Sequence, residues 1–156
     1  MSYQVVSQLN ERQISDLLDL YKNEFWSKER TREDTIKMLT ASDIIVGLVD
    51  ENNSLIGFAR VLTDFVYRAV IFDVIIKPTH RNIGLSKQLM NAIIKHPQLN
   101  NIEHFALWCL PEMTSYYQKW DFTSNIGVTL MFCKNISNSK DVTCNVSTTK
   151  MHNFYE

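Results

Sequence analysis

Asp73-Val74-Ile75-Ile76-Lys77-Pro78-Thr79-His80-Arg81-Asn82-Ile83-Gly84-Leu85-Ser86-Lys87-Gln88-Leu89-Met90 decides how the chain folds, because an apolar strand runs through a short basic turn straight into a helix. The first backbone N–H groups of a helix have no partner inside it, and their summed dipole places partial positive charge where an anion can sit. Gly84 is one of only four glycines in 156 residues. A glycine there lets the backbone bend sharply and come close to a ligand. Lys77, His80, Arg81 and Lys87 make the field around the turn positive, which suits a ligand carrying several phosphates.

Upstream of this stretch, Tyr3 to Leu9 reads as a short strand. Asn10 followed by Gln13 offers a capping-box start to a helix with Ile14, Leu17, Leu18, Tyr21 and Phe25 on one face. A second helix starts near Thr31, with Asp34 three residues on, and carries Ile36, Met38 and Leu39. Glu24 to Arg30 forms a polar and aromatic joint between the two. Ile44 to Asp50 and Leu55 to Thr63 read as a hairpin about Glu51 to Ser54, and Tyr67 to Ile76 as a third strand. Downstream, Leu85 to Lys95 is helical, and His104 to Leu110 is an apolar strand whose composition predicts burial on both faces. Met113 to Trp120 is a short helix and Gly127 to Lys134 a closing strand. The order β, α, α, β, β, β, α, β, α, β predicts an α/β fold with a mixed sheet flanked by helices.

A chain of 156 residues fits one domain, expected over 1–134, followed by a polar tail over 135–156 that is either disordered or an extra edge strand. Hydrophobic content of 45% with 21% charged residues is ordinary for a globular protein, and no apolar run approaches the ~20 residues of a membrane-spanning helix. Met1 to Val5 lacks a basic region followed by an apolar stretch, so a cytoplasmic protein without a membrane partner is expected. Cys109, Cys133 and Cys144 match neither a zinc pattern nor a redox pair, and read as reduced thiols. The histidines fit no compact metal motif, so no metal is expected. A net charge of −1 with mixed signs argues against a nucleic-acid surface.

The element order and Arg81-Asn82-Ile83-Gly84-Leu85-Ser86 together resemble the GNAT superfamily of acyl-CoA-dependent N-acetyltransferases, whose pyrophosphate loop reads Arg/Gln-x-x-Gly-x-Gly/Ala. Arg81 and Gly84 fall on that pattern, and Ser86 stands where Gly or Ala is usual. Leu55 to Asp64, Phe72-Asp73-Val74 and Leu89 to Pro97 look like a branch of small bacterial members, as do Phe25-Trp26 and Arg30 between the first two helices. Tyr117-Gln118-Lys119-Trp120-Asp121-Phe122 resembles the Tyr-x-x-x-Gly-Phe signature, with Asp121 in place of glycine. The similarity spans Glu11 to Lys134.

The resemblance implies acetyl-CoA as co-substrate and an amine, small or peptidic, as acceptor. It puts the pantetheine arm between the strands Tyr67 to Ile76 and His104 to Leu110, on main-chain groups near Val74, Ile75 and Ile76. The diphosphate would lie on the amides of Asn82, Ile83, Gly84, Leu85, Ser86 and Lys87, beside Arg81. Tyr117 would be the general acid on the leaving sulfur. For the base, Asp73 is a candidate because an acidic group in an apolar strand is costly unless hydrogen-bonded or useful; the competing reading ties it to Arg60 or a backbone amide. Glu24, Trp26 and Arg30 are candidates for the acceptor side, against a solvated helix end, a core anchor and an ion pair with Asp34. His104 or a water relay are further candidates for the proton. Ser86, Asp121 and Pro111 keep open a rival reading as an acyl-CoA-binding module with little turnover, and homodimerisation is also open.

Overall fold

The computed structural model describes residues 2–131 and divides after Trp108 into two compact units. In the first, β1 (Gln4–Val6) leads to α1 (Glu11–Lys22), which starts at a reciprocal cap. The Asn10 side chain accepts from the Gln13 N–H at 2.9 Å, and the Gln13 side chain accepts from the Asn10 N–H at 3.0 Å. Ile14, Leu17, Leu20 and Tyr21 form the buried face. Phe25, expected on that face, is exposed, because the helix ends at Lys22 and the chain has already turned.

Thr31 caps α2 (Arg32–Thr40) by accepting from the Asp34 N–H. Only Thr35 is buried on this helix; Met38 and Leu39 pack partly against the core and Ile36 faces solvent, so the apolar stripe is narrower than the sequence suggests.

β2 (Ile44–Val49), β3 (Leu55–Thr63), β4 (Arg68–Ile76) and β5 (His104–Leu107) complete a sheet in the order β1-β2-β3-β4-β5. Neighbours are antiparallel except β4 and β5, which are parallel. The β2–β3 turn is held by the Asp50 carboxylate, which accepts from the N–H groups of Asn52 and Ser54, both at 2.9 Å. Residues Leu55 to Val61 of β3 are buried apart from the half-buried Arg60, so both faces of the strand are covered. Helix α3 (Leu85–Ile94) contributes Leu85, Leu89, Met90 and Ile93 to the core.

Two irregularities, one in β4 and one in β5, bear on the site. Phe58 pairs with Ile75 and Arg60 with Phe72, so Ala59 faces both Asp73 and Val74, the two-against-one count of a β-bulge. Asp73 takes up the bulge at φ 58°, in the left-handed region that few residues other than glycine occupy. The second irregularity concerns β5, which is shorter and more exposed than the sequence predicts. It alternates exposed and half-buried residues instead of being buried on both faces, because among the described residues it forms the sheet's edge.

In the second unit, the expected short helix is a run of three pieces. Single 3-10 turns at Pro111–Met113 and Gln118–Trp120 flank α4 (Thr114–Tyr117). The run stops at Asp121, φ 62°, where the chain needs a left-handed residue. Residues 127–131 form no strand; the rest of the expected closing strand and the polar tail over 135–156 lie outside the described residues.

Candidate active site

The basic turn is built by backbone geometry. After β4 ends at Ile76, Lys77 feeds a 3-10 turn over Pro78–His80, and the chain bends through Asn82 (φ 64°) and Gly84 (φ 87°), the N-cap of α3. The Gln88 N–H returns to the Gly84 carbonyl at 3.2 Å, so Leu85, Ser86 and Lys87 supply the helix's first amides, which have no intrahelical acceptor. A Cβ added at Gly84 would meet no heavy atom within 4 Å, so the space beside the glycine at the helix start is open. Ile83 is exposed beside it, as are Arg81, Asn82 and Lys87. This cradle fits a diphosphate: it is open, basic and lined by free N–H groups. The Arg81 guanidinium is already engaged, with Nε donating to the Ile76 carbonyl at 3.0 Å and Nη2 to Glu24 Oε1 at 2.7 Å. Glu24 is thus an ion-pair partner of the turn.

β4 outruns its partner before it reaches this turn. The β4–β5 ladder runs from Arg68↔His104 to Ile71↔Leu107, where β5 ends, and β4 continues to Ile76. The Phe72 and Trp108 rings, 4.8 Å apart, stand just past the end of that ladder. Ile75 and Ile76 bury their side chains and Val74 is half-buried, so these residues have mainly main-chain groups to offer a ligand. His104 lies at the exposed start of β5, beside Arg68 and Glu103.

The bulge residue Asp73 is the centre of an ionic cluster. Its Oδ2 accepts from Tyr21 Oη at 2.9 Å, Arg30 Nη1 at 2.7 Å and Arg60 Nε at 2.8 Å, and Oδ1 accepts from Arg30 Nη2 at 3.1 Å. Burial alone would push the carboxyl up, but the hydrogen bonds and charges of Arg30 and Arg60 outweigh it and hold the group below the ordinary carboxylate range. Such a carboxylate is a weak proton acceptor, so the geometry favours the ion-pair reading of Asp73 over the base. Burial, followed by the adjacent Asp73 charge, pushes the Tyr21 phenol well above its usual range. Burial works against the Arg30 charge, yet the bonds to Asp73 win and raise its pKa.

The sequence did not reveal Tyr21 as a member of this cluster, since its helical spacing marks only a core aromatic. Arg60 did carry a signal: a cation inside the apolar run of β3 needs a buried partner of opposite sign.

The joint between α1 and α2 is pinned by the buried Ser27, whose hydroxyl donates to the Tyr21 carbonyl at 3.0 Å. Arg30 pairs with Asp73, not with Asp34, and its guanidinium lies 4.5 Å from the Tyr21 ring centroid and 5.3 Å from that of Trp26. Trp26 is exposed, so it is no core anchor. With Phe25, Arg30 and Asp34 it lines an open hollow of about 260 Å³.

In the second unit, Tyr117 is buried between Tyr116 and Phe122, with ring centroids at 5.1 and 6.2 Å. Burial, reinforced by negative charge on Cys109 and Tyr116, pushes its phenol up to about 12. The proton is therefore held firmly through the neutral range. Burial also pushes the Cys109 thiol up, against a hydrogen bond with Thr114. Among the described residues no three His, Cys, Asp or Glu side chains stand close enough to hold a metal ion.

Comparison with known proteins agrees with the fold. The profile of the Acetyltransferase (GNAT) family matches residues 12–122. The chain is 37% identical over 98 residues to an uncharacterised N-acetyltransferase, ycf52, of Porphyra purpurea, covering 60% of this chain and 56% of that one. It is 33% identical over 122 residues to a ycf52-like N-acetyltransferase of Prochlorococcus marinus, covering 76% and 67%. The chain thus spans little more than half of the Porphyra protein. Among solved structures, a GNAT-family protein from Xanthomonas campestris shares the fold at a TM-score of 0.73 and 24% identity, covering 85% of this chain and 94% of its own. A GNAT-family acetyltransferase from Streptococcus pneumoniae does so at 0.69 and 20%, covering 86% and 98%. With the family profile spanning the helices, the sheet and the basic turn, this chain belongs to the GNAT acetyltransferase family.

Proposed function

We propose that the protein moves an acetyl group from acetyl-CoA to a primary amine by direct attack. The observation that carries this reading is the open, basic turn at Gly84 at the start of α3, which follows the stretch of β4 that runs beyond its ladder with β5. The amides of Leu85, Ser86 and Lys87, with the turn from Arg81 to Gly84, take the diphosphate. Main-chain groups of Val74 to Ile76 take the pantetheine arm and thioester. The amine nitrogen bonds to the thioester carbon, the C–S bond breaks, and the sulfur leaves with a proton from Tyr117. Aligning the two reactants removes on the order of 7 to 11 kcal/mol of barrier, which leaves little for acid and base groups to supply.

With Asp73 committed to two arginines and a tyrosine, the proton shed by the amine leaves through water. Glu24, Trp26 and Arg30 border the acceptor side, where the exposed aromatic wall suits an amine with an apolar or aromatic body. A relative in Oryza sativa is named serotonin N-acetyltransferase 2, chloroplastic; it is 26% identical over 97 residues, covering 60% of this chain and 48% of its own length. Arylalkylamines therefore join polyamines, amino acids and peptide N-termini in the acceptor panel. The chloroplastic names of that relative and of an Arabidopsis relative 29% identical over 112 residues make a plastid a place to look for the protein, besides the cytoplasm expected from the sequence.

An acetyl-CoA consumption screen against this panel tests the reading, with turnover on at least one amine class expected. Pro111, which has no N–H to donate at the start of its 3-10 turn, favours the rival reading as an acyl-CoA-binding module. Binding of CoA without turnover on any acceptor would establish that rival.

A further inference from the structure

We propose that Asp73 is a positioning residue, whose clamped carboxylate fixes the bulge of β4 and so aims the main-chain groups of Val74 to Ile76 that follow it. The inference rests on the proposed function, which gives those groups to the thioester arm.

Three observations converge on it. Asp73 holds φ 58° in the middle of a strand, a conformation that survives only where its surroundings over-determine it. The surroundings do so from three directions: Tyr21 from α1, Arg30 from the joint and Arg60 from β3 all bond to one carboxylate whose side chain is 4% exposed. The clamp also reaches the end of the β4–β5 ladder, since the Arg60 guanidinium lies 4.7 Å from the Phe72 ring centroid and Phe72 packs on Trp108 just past that end. A carboxylate that already accepts four hydrogen bonds, two of them from one arginine, is a poor acceptor for an amine's proton. Its effect on the reaction passes through the backbone on either side.

The test is hydrogen exchange on the full chain without CoA, paired with acetyl-transfer kinetics. In Asp73→Asn, exchange of amides 72–76 should rise about tenfold or more beyond any rise shared by β2 and α3 through lower global stability. Transfer should lose about tenfold or more in kcat, with KM for acetyl-CoA changed less. Tyr21→Phe, which removes one hydrogen bond and little volume, should shift both readouts the same way by a few-fold, and it decides the matter if Asp73→Asn does not fold. Asp73→Gly, which accepts φ 58° without strain, should not restore either readout.

Unchanged exchange with lost transfer would overturn the proposal and make Asp73 a base. Full recovery in Asp73→Gly would overturn it too, by showing that only the backbone angle matters. Raised exchange with undiminished kcat would also refute it. Failure of the unaltered protein to bind CoA would strike the proposed function instead, and the exchange result would still judge the clamp.

Discussion

Gly84 sits at φ 87°, where any L side chain is strained, and beneath open space that a side chain would fill. Strain and obstruction can be separated by substitution. Gly84→Asn tolerates the left-handed angle, whereas Gly84→Val carries a strain of roughly 1–2 kcal/mol. Both place atoms where a diphosphate would lie, so both should weaken CoA binding about tenfold or more by titration calorimetry, with Gly84→Val alone losing appreciable thermal stability. Unchanged affinity in both variants would remove the diphosphate from this turn.

Tyr117 poses a different question, because its elevated pKa, about 12, guarantees a proton to give but not a partner to receive it. Tyr117→Phe should lower kcat by about 10²-fold or more while KM for acetyl-CoA changes little, and equal losses in binding and turnover would reduce the tyrosine to packing. The residues of the turn could be read from the chain because glycine and basic side chains within a few positions imply their own geometry. Of the ionic cluster only the tie between Asp73 and Arg60 could be read, since Tyr21 and Arg30 lie 52 and 43 residues from Asp73, and composition gives the sign of a charge without its distance from another.

Elements whose start and stop signals are local match their expected bounds closely. Helix α1 begins where Asn10 and Gln13 reciprocate, and the β2–β3 turn forms where Asp50 holds two amides. Asn10→Ala should cost about 1 kcal/mol of unfolding free energy in a urea titration, since it leaves the Gln13 N–H without its acceptor while the sheet is untouched. A loss near zero would mean that Gln13, which also donates to the Asn53 side chain, anchors the helix start unaided.

β5 shows where such local reading stops. Its apolar residues suggest two buried faces, but burial is a property of what packs alongside, and the observed strand is short and partly exposed. The bulge in β4 was equally hidden, because it depends on the register against β3, which the hairpin turn alone does not fix.

For the whole molecule, the Asp73 cluster sets the response to acid. An unfolded Asp titrates near ~3.9, and the folded group lies below that value, so on acidification the unfolded chain takes up the proton first. The cluster's contribution is therefore present above about pH 4 and is lost as pH falls through the folded pKa. Thermal unfolding followed across this window should show stability falling steeply only on the acid side. Asp73→Asn should lower stability at neutral pH by about 3–5 kcal/mol, through two arginines left without their anion, and should flatten the acid slope. CoA should act in the opposite direction, adding up to about 2.7 kcal/mol at a hundredfold excess over its dissociation constant, and an unchanged melting temperature at millimolar CoA would contradict the proposed site.

The contact between Arg81 and Glu24 bears on how the nucleotide's arrival is felt elsewhere. Glu24 belongs to the segment we assign to the amine, yet its carboxylate neutralises a cation of the turn we assign to the nucleotide. A half-exposed pair of this kind is worth only about 0–1 kcal/mol, so an incoming dianion can take over the guanidinium at small expense. The exchange sets a carboxylate loose beside the amine's path, where its negative charge attracts protonated acceptors. Filling one half of the protein thereby changes the electrostatic welcome offered by the other, and substrates would then join in a preferred sequence, nucleotide first.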